Sequence, residues 1–204
     1  MIEFLTKVAG STEFWSGLGG AVVGGLFTLW GTVIEGKRER DNREQDNLSK
    51  KLNILKGIRT EIELITSLYN ERMGAHISNY KPGQLLDVYF LITQNNFVFY
   101  ENNAEFISEL GEDVLKEIVR FYITAKSLID TYNTNNTNLN EVKTLSLKVA
   151  DNPHNHTHVN LLNAYMGIAS QYAPMIVEIH NQTVESQRKA ISAINGEINR
   201  LETK

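Results

Sequence analysis

Three histidines in the C-terminal half form a cluster of side chains that could hold a metal. His154, His156 and His158 alternate in the stretch DNPHNHTH, and Asp151 precedes them. Imidazole and carboxylate groups bind zinc, but this alternation lacks the i, i+4 spacing that orients two imidazoles on one helix. We therefore predict a solvated loop that enters a helix, with Thr157 as its N-cap and no bound metal.

Other catalytic patterns are missing from the sequence. It contains no cysteine, and it has no G-x-S-x-G, no H-E-x-x-H and no glycine-rich phosphate loop. The acidic pair Glu61 and Glu63 is expected to be adjacent surface charge. A net charge of −4 is not typical of a general nucleic-acid binder. We predict a protein that is not an enzyme and uses no cofactor; a metal-dependent enzyme at the histidines is a weaker alternative.

The element around which the chain is organised is the apolar stretch WSGLGGAVVGGLFTLWGTVI, from Trp15 to Ile34. It contains no charge and no proline, and Trp15 and Trp30 lie near its ends. A helix of this length, at about 1.5 Å per residue, spans a hydrocarbon core of about 30 Å. A secretory signal is the competing interpretation, but no basic segment precedes the stretch and no A-x-A-like site follows it. We predict a retained transmembrane helix over 15–35.

The flanking charges predict the orientation and divide the chain into three parts. Lys7 is the only Lys or Arg before the span, whereas six follow it by Lys51. Because Lys and Arg are enriched on the cytoplasmic side, residues 1–14 are expected outside and 36–204 in the cytoplasm, as a single-pass membrane protein. The charges after the span alternate in sign, which favours a solvated helical stalk over a lipid contact.

Small residues follow one face of the predicted span. They recur in steps of three and four, a spacing that places them on one side of a helix. Glycine weakens a helix, so such a stripe is usually explained by close approach between helices. We predict that the span self-associates, and the stripe either packs helices without conduction or lines a pore. Its members are Gly17, Gly20, Gly24, Thr28 and Gly31.

The remainder is expected to be an all-α bundle of long helices. Apolar residues recur at helical spacing after the stalk, in either a coiled-coil seam between copies or a core helix of the domain. The last helix should pack against this one. The patterns predict helices over 48–73, 85–93, 104–110, 112–132, 139–150 and 158–202, with a bend at Pro174 and a polar loop over 133–138.

A family resemblance rests on the span and on a later set of residues. The span FWSGLGGAVVGGLFTLWGT with its basic stop is followed by Phe99-Tyr100-Glu101-Asn102-Asn103, Ile107, Leu110-Gly111 and Ile118-Val119-Arg120-Phe121-Tyr122. This combination resembles bacterial single-span proteins with helical cytoplasmic domains. It is similar in architecture to the membrane subunit of Hailong-type anti-phage defence, a tetrameric channel-like effector held shut by DNA oligomers from a partner nucleotidyltransferase.

The resemblance implies a function and a ligand site. The chain would form a homo-oligomer, as a tetramer, in the lipid bilayer of the bacterial inner membrane, and its cytoplasmic domain would sense a regulator such as a DNA oligomer. Tyr100, Asn103 and Arg120 belong to the matching motifs and would contact the regulator; the plainer interpretation is a helix corner and an arginine at the edge of the core. The competing hypothesis is a non-conducting scaffold that dimerises and recruits a soluble partner.

Overall fold

The fold consists of α-helices joined by turns and by one irregular segment, residues 85–91. The computed structural model describes the backbone of residues 12–91 and 95–203, and their side chains from Thr28 onward except at 29 and 31. Helices and no strand occur among these residues, so the all-α prediction is confirmed. In chain order the helices are α1 (Thr12–Ser78), α2 (Val98–Asn102), α3 (Ala104–Ile107), α4 (Glu112–Asp151) and α5 (His156–Glu202).

The predicted membrane span falls in the first part of α1. Most of its side chains lie outside the described residues, and among the residues that are described no helix is long and apolar enough to cross a membrane. The span over 15–35 therefore stays a prediction. Beyond it, positions 37–47 are helical and exposed, as the alternating charges predict, and Arg43 pairs with Glu39 one turn earlier.

The chain divides into two compact units between Lys51 and Leu52. The part of α1 that begins the second unit pairs with the C-terminal end of α5. Lys56 Nζ donates to Glu202 Oε1 at 2.8 Å, and Arg59 Nη1 donates to Asn195 Oδ1 at 2.9 Å. These two helices are therefore antiparallel, which confirms the predicted packing of the last helix on the first.

Helix α4 completes a three-helix bundle. It runs parallel to α1, because Glu61 bonds to Tyr122 and, two turns on, Tyr69 bonds to Tyr132. The apolar stripe of α1 faces this bundle, so it belongs to a core helix of the unit. Its most buried members are Leu55, Ile58, Ile62, Tyr69 and Met73.

The prediction of a polar loop over 133–138 is wrong, because these residues continue α4. Asn135 and Asn136 are buried rather than solvated. The Asn136 amide accepts from Phe90 N–H at 3.2 Å and donates to Phe90 C=O at 3.0 Å. Asn135 Nδ2 lies 3.3 Å from the carbonyl oxygens of Leu86 and Val88. The amides that usually favour a loop here satisfy the backbone of another segment.

That segment corrects a second prediction. A helix was expected over 85–93, but residues 85–91 are neither helix nor strand, after a turn in which Gly83 adopts φ +86°. Leu86 and Phe90 are buried, whereas Tyr89 and Leu91 are exposed. A segment outside regular secondary structure needs other partners for its buried N–H and C=O groups, and the two asparagines of α4 supply them.

The turn between α4 and α5 corrects a third prediction. Asn155, not Thr157, caps α5: its Oδ1 accepts from Thr157 N–H at 3.1 Å and from His158 N–H at 3.2 Å. An Asn side chain before the first turn satisfies donors that the helix itself leaves without partners. The single helix predicted from 158 onward is confirmed, and it includes Pro174.

Candidate functional site

The second unit contains a cleft of about 890 Å³ that is lined by α1, the 85–91 segment, the corner at α2, α4 and α5. Its walls are mostly aliphatic and aromatic side chains. We call this feature the cleft and define it by its lining residues: Lys56, Gly57, Thr60, Glu61, Leu64, Ile65, Thr66, Leu68, Tyr69, Arg72, Phe90, Leu91, Asn96, Phe97, Phe99, Phe121, Ala125, Leu128, Ile129, Thr183 and Val184.

A hydrogen-bonded aromatic cluster lies at one end of the cleft. The Tyr69 hydroxyl lies 2.8 Å from His180 Nδ1 and 3.2 Å from the Tyr132 hydroxyl. The Phe90 ring meets the Tyr132 ring edge-on, with centroids 5.1 Å apart. Burial raises the pKa of the Tyr69 and Tyr132 phenols and lowers the pKa of His180. All three groups are therefore held neutral near pH 7, as the low polarity of the site requires.

At the other end, Glu61 holds the corner formed by α2. Its carboxylate accepts from the Phe99 N–H at 2.7 Å, the Tyr100 N–H at 3.1 Å and the Tyr122 hydroxyl at 2.6 Å. The two backbone donors belong to the first turn of α2, which has no side-chain cap of its own. A carboxylate at a helix N-terminus is favoured by both hydrogen bonding and the helix dipole. Glu61 is thus a cap supplied from another helix.

Gly57 lets the Phe99 ring enter this corner. A Cβ atom at position 57 would lie 2.2 Å from Phe99 Cζ, far inside van der Waals contact. The absence of a side chain at Gly57 therefore makes room for the ring that forms part of the cleft wall.

The mouth of the cleft exposes apolar surface beside one cation. Leu64 is 65% exposed, Leu68 42% and Leu91 70%. Of the two cations in the lining, Lys56 pairs with Glu202 at 2.8 Å. Arg72 is exposed, and among the described residues no carboxylate pairs with it. The ionisable side chains Glu61, Tyr69 and Lys56 each have a partner, whereas Arg72 remains exposed at the mouth.

The ligand residues implied by the resemblance lie outside the cleft lining. The Tyr100 ring stacks on Tyr122, with centroids 3.8 Å apart, and Asn103 Nδ2 donates to Phe99 C=O at 2.7 Å. Arg120 lies 3.6 Å from Glu117 on the surface of α4. The first two therefore build the α2 corner, and Arg120 lines a separate shallow depression with Lys116.

The other predicted features can be placed only in part. Within the described residues, no group of three or more metal-ligating side chains comes together, and the side chains of His154 and His156 are exposed. Of the small-residue stripe, the surroundings of Gly17, Gly20, Gly24 and Gly31 lie outside what the structure describes; Thr28 is exposed, and its carbonyl accepts from Thr32 Oγ1 at 2.6 Å.

Sequence reasoning missed the cleft. Its wall depends on Phe99, which keeps 37% of its surface exposed, whereas Phe97 is buried. The Phe99 ring lies against Gly57 of another helix, so no local pattern in the sequence indicates the contact.

Comparison with known proteins adds no relative. No family model matches the chain, and no curated protein or solved structure matches it either. The functional conclusion therefore depends on the cleft, on the sequence of the predicted span, and on the resemblance that the motifs carry.

Proposed function

We propose that this protein is a homo-oligomeric inner-membrane effector of anti-phage defence, in which a regulator bound by the C-terminal unit gates a pore formed by the predicted spans. The observation that carries the proposal is the cleft of about 890 Å³, with apolar walls and the exposed Arg72 at its mouth. A concave, mostly apolar site with few polar groups is typical of small-molecule binding. Such a unit, attached to a segment rich in small residues, has the parts of a sensor and a transducer.

The glycine stripe is the transducing part of the proposal. Four or more copies, with a tetramer expected, would bring Gly17, Gly20, Gly24, Thr28 and Gly31 together around an axis. The regulator is either the DNA oligomer that the resemblance implies, made by a partner nucleotidyltransferase, or a smaller ligand that fits the cleft.

Planar-bilayer current recorded from the purified full-length chain tests the pore. Wild-type protein should conduct in a regulator-dependent way, and Gly24→Leu should abolish the current by filling the small-residue face. Val22→Leu, which adds bulk on the predicted bulky face, is the matched control and should still conduct. Native mass spectrometry in detergent should give four or more copies. A bilayer that stays silent under every condition, DNA oligomers included, rules out the pore.

One further observation favours the scaffold as a second candidate function. Leu161, Ile168 and Met175 recur every seven residues on α5 and are 43%, 48% and 54% exposed. An exposed apolar stripe at this spacing is typical of a surface that packs against another helix. The scaffold predicts two copies per particle and loss of the dimer in Ile168→Asp, while Leu147→Asp, at an exposed leucine elsewhere, remains dimeric. A monomeric wild-type chain would contradict this candidate.

A further inference from the structure

The chemistry of the cleft defines what it can accept. We propose that the cleft binds an amphiphilic monoanion: an alkyl chain that lies along the apolar walls, with one carboxylate that pairs with Arg72. This assignment gives the regulator of the proposed function a chemical class. Binding to the cleft can succeed or fail independently of whether the predicted span conducts, so the two conclusions are tested separately.

The size and composition of the cleft favour the apolar part of such a ligand. Small-molecule sites commonly enclose about 300–1,000 Å³ and are lined mainly by hydrophobic and aromatic side chains. At about 890 Å³ the cleft lies within that range. At its mouth, Leu64 and Leu68 keep 65% and 42% of their surface exposed. A bound alkyl chain would remove that surface from water, which is the main driving force for binding of apolar groups.

The charges of the cleft favour a single anionic group. Lys56 pairs with Glu202 at 2.8 Å, and the Glu61 carboxylate accepts from three donors at the α2 end of the cleft. That leaves Arg72, which is exposed and has no carboxylate partner among the described residues. A planar guanidinium is well matched to a carboxylate, which it can bind through two parallel hydrogen bonds.

The same charges disfavour an oligonucleotide in the cleft. Nucleic-acid binding draws its affinity from several cations that neutralise successive phosphates. The cleft lining contributes Lys56 and Arg72, and only Arg72 is uncommitted. Its rings Phe90, Phe97 and Phe121 are buried, and only Phe99, which is 37% exposed, offers part of a face for base stacking. A DNA oligomer that regulates this protein would have to bind elsewhere.

Photoaffinity labelling of the full-length protein tests the assignment. The probe is a dodecanoate that carries a diazirine on its chain and an alkyne for detection, and cross-linked peptides are located by mass spectrometry. Labelling should concentrate on the stretches around Leu64 and Leu128, and unlabelled dodecanoate should compete with it. The dodecyl trimethylammonium analogue of the probe should label these peptides less than the carboxylate does.

Two variants, each with a matched control, locate the two parts of the ligand. Arg72→Gln should weaken competition by dodecanoate about threefold to fivefold, the worth of one exposed ion pair, whereas Arg188→Gln, an exposed arginine outside the cleft, should not. Leu64→Glu places a carboxylate at the mouth and should abolish labelling of the cleft. Leu147→Glu alters a leucine that is 62% exposed elsewhere and should leave labelling unchanged.

Three results would overturn the assignment. The first is equal labelling of the cleft peptides by the anionic and cationic probes. The second is unchanged labelling in Leu64→Glu, which would show that the probe lies elsewhere. The third is protection of the cleft peptides by a short single-stranded DNA oligomer but not by dodecanoate, which would make the cleft a polyanion site. None of these results depends on a measured current.

Discussion

Replacing Asn136 with alanine should release residues 85–91 from α4. The Asn136 side chain makes two hydrogen bonds to the backbone of Phe90, at 3.2 and 3.0 Å, and both are buried. Alanine leaves that N–H and that C=O without partners, and each such buried group costs about 1–3 kcal/mol. Alanine also favours the helix by about 0.6 kcal/mol relative to asparagine. The free energy of unfolding should therefore fall by about 2–4 kcal/mol.

Urea denaturation followed by circular dichroism measures this loss, and hydrogen exchange locates it. The Phe90 amide should exchange faster in the variant, because its acceptor is gone. Asn133→Ala is the matched control: Asn133 belongs to the same polar run of α4 but is exposed, so its unfolding free energy should change by less than about 0.6 kcal/mol. Equal effects of the two substitutions would refute the role assigned to the buried amide.

The isosteric change Asn136→Asp separates hydrogen bonding from packing. The new carboxylate can still accept from Phe90 N–H, but its second oxygen faces Phe90 C=O, where the amide donated at 3.0 Å. Burial and this contact both disfavour the charged form, so the folded-state pKa of the new carboxyl is raised. The free energy of unfolding should therefore rise again as the pH falls, because the protonated carboxyl can donate a hydrogen bond. A variant that does not recover in acid would contradict this account.

Two further predictions concern the ends of the cleft. Gly74→Ala meets open space in α1 and should stabilise the helix by about 0.5–1 kcal/mol, whereas Gly57→Ala would place Cβ 2.2 Å from Phe99 Cζ and should gain clearly less; equal midpoints in urea would contradict the close contact. Burial lowers the pKa of His180 below its usual 6.5, so the unfolded chain takes up a proton that the folded chain resists. The free energy of unfolding should thus decrease as the pH falls from 6.5 toward the folded pKa and then level off. Denaturation across this range checks it, and a wild-type slope retained in His180→Gln would show that another group is responsible.

Long helices were predictable from this sequence because their periodicity is local. The stripe from Leu55 to Met73 recurs in steps of three and four, and the structure buries that face. The same logic located the long C-terminal helix. A short apolar run repeats its pattern too few times to identify one structure. Residues 85–91 are compatible with a buried helix or a non-helical chain, and their hydrogen bonds to α4 stabilise the non-helical form.

The asparagines of α4 show why polar composition misleads. In isolation, NTNNTN is typical of a loop, since Asn and Thr side chains compete with the backbone for hydrogen bonds. In the folded chain Asn136 bonds to Phe90, which lies 46 residues away. No window of neighbouring residues contains that partner. The loop prediction failed because Asn135 and Asn136 bond to the backbone of residues 86–90, a distant part of the chain.

The sequence by itself determined the all-α class, the long helices and the exposed charges after position 36, because these depend on side chains a few residues apart. It also carries the predictions of a span over 15–35 and of self-association. Only the tertiary structure decided that Glu61 caps α2, that Gly57 admits Phe99, and that Arg72 borders an apolar cleft. Those relations join atoms from distant parts of the chain, whose distances are set by the packing of α1, α4 and α5 and not by spacing along the sequence.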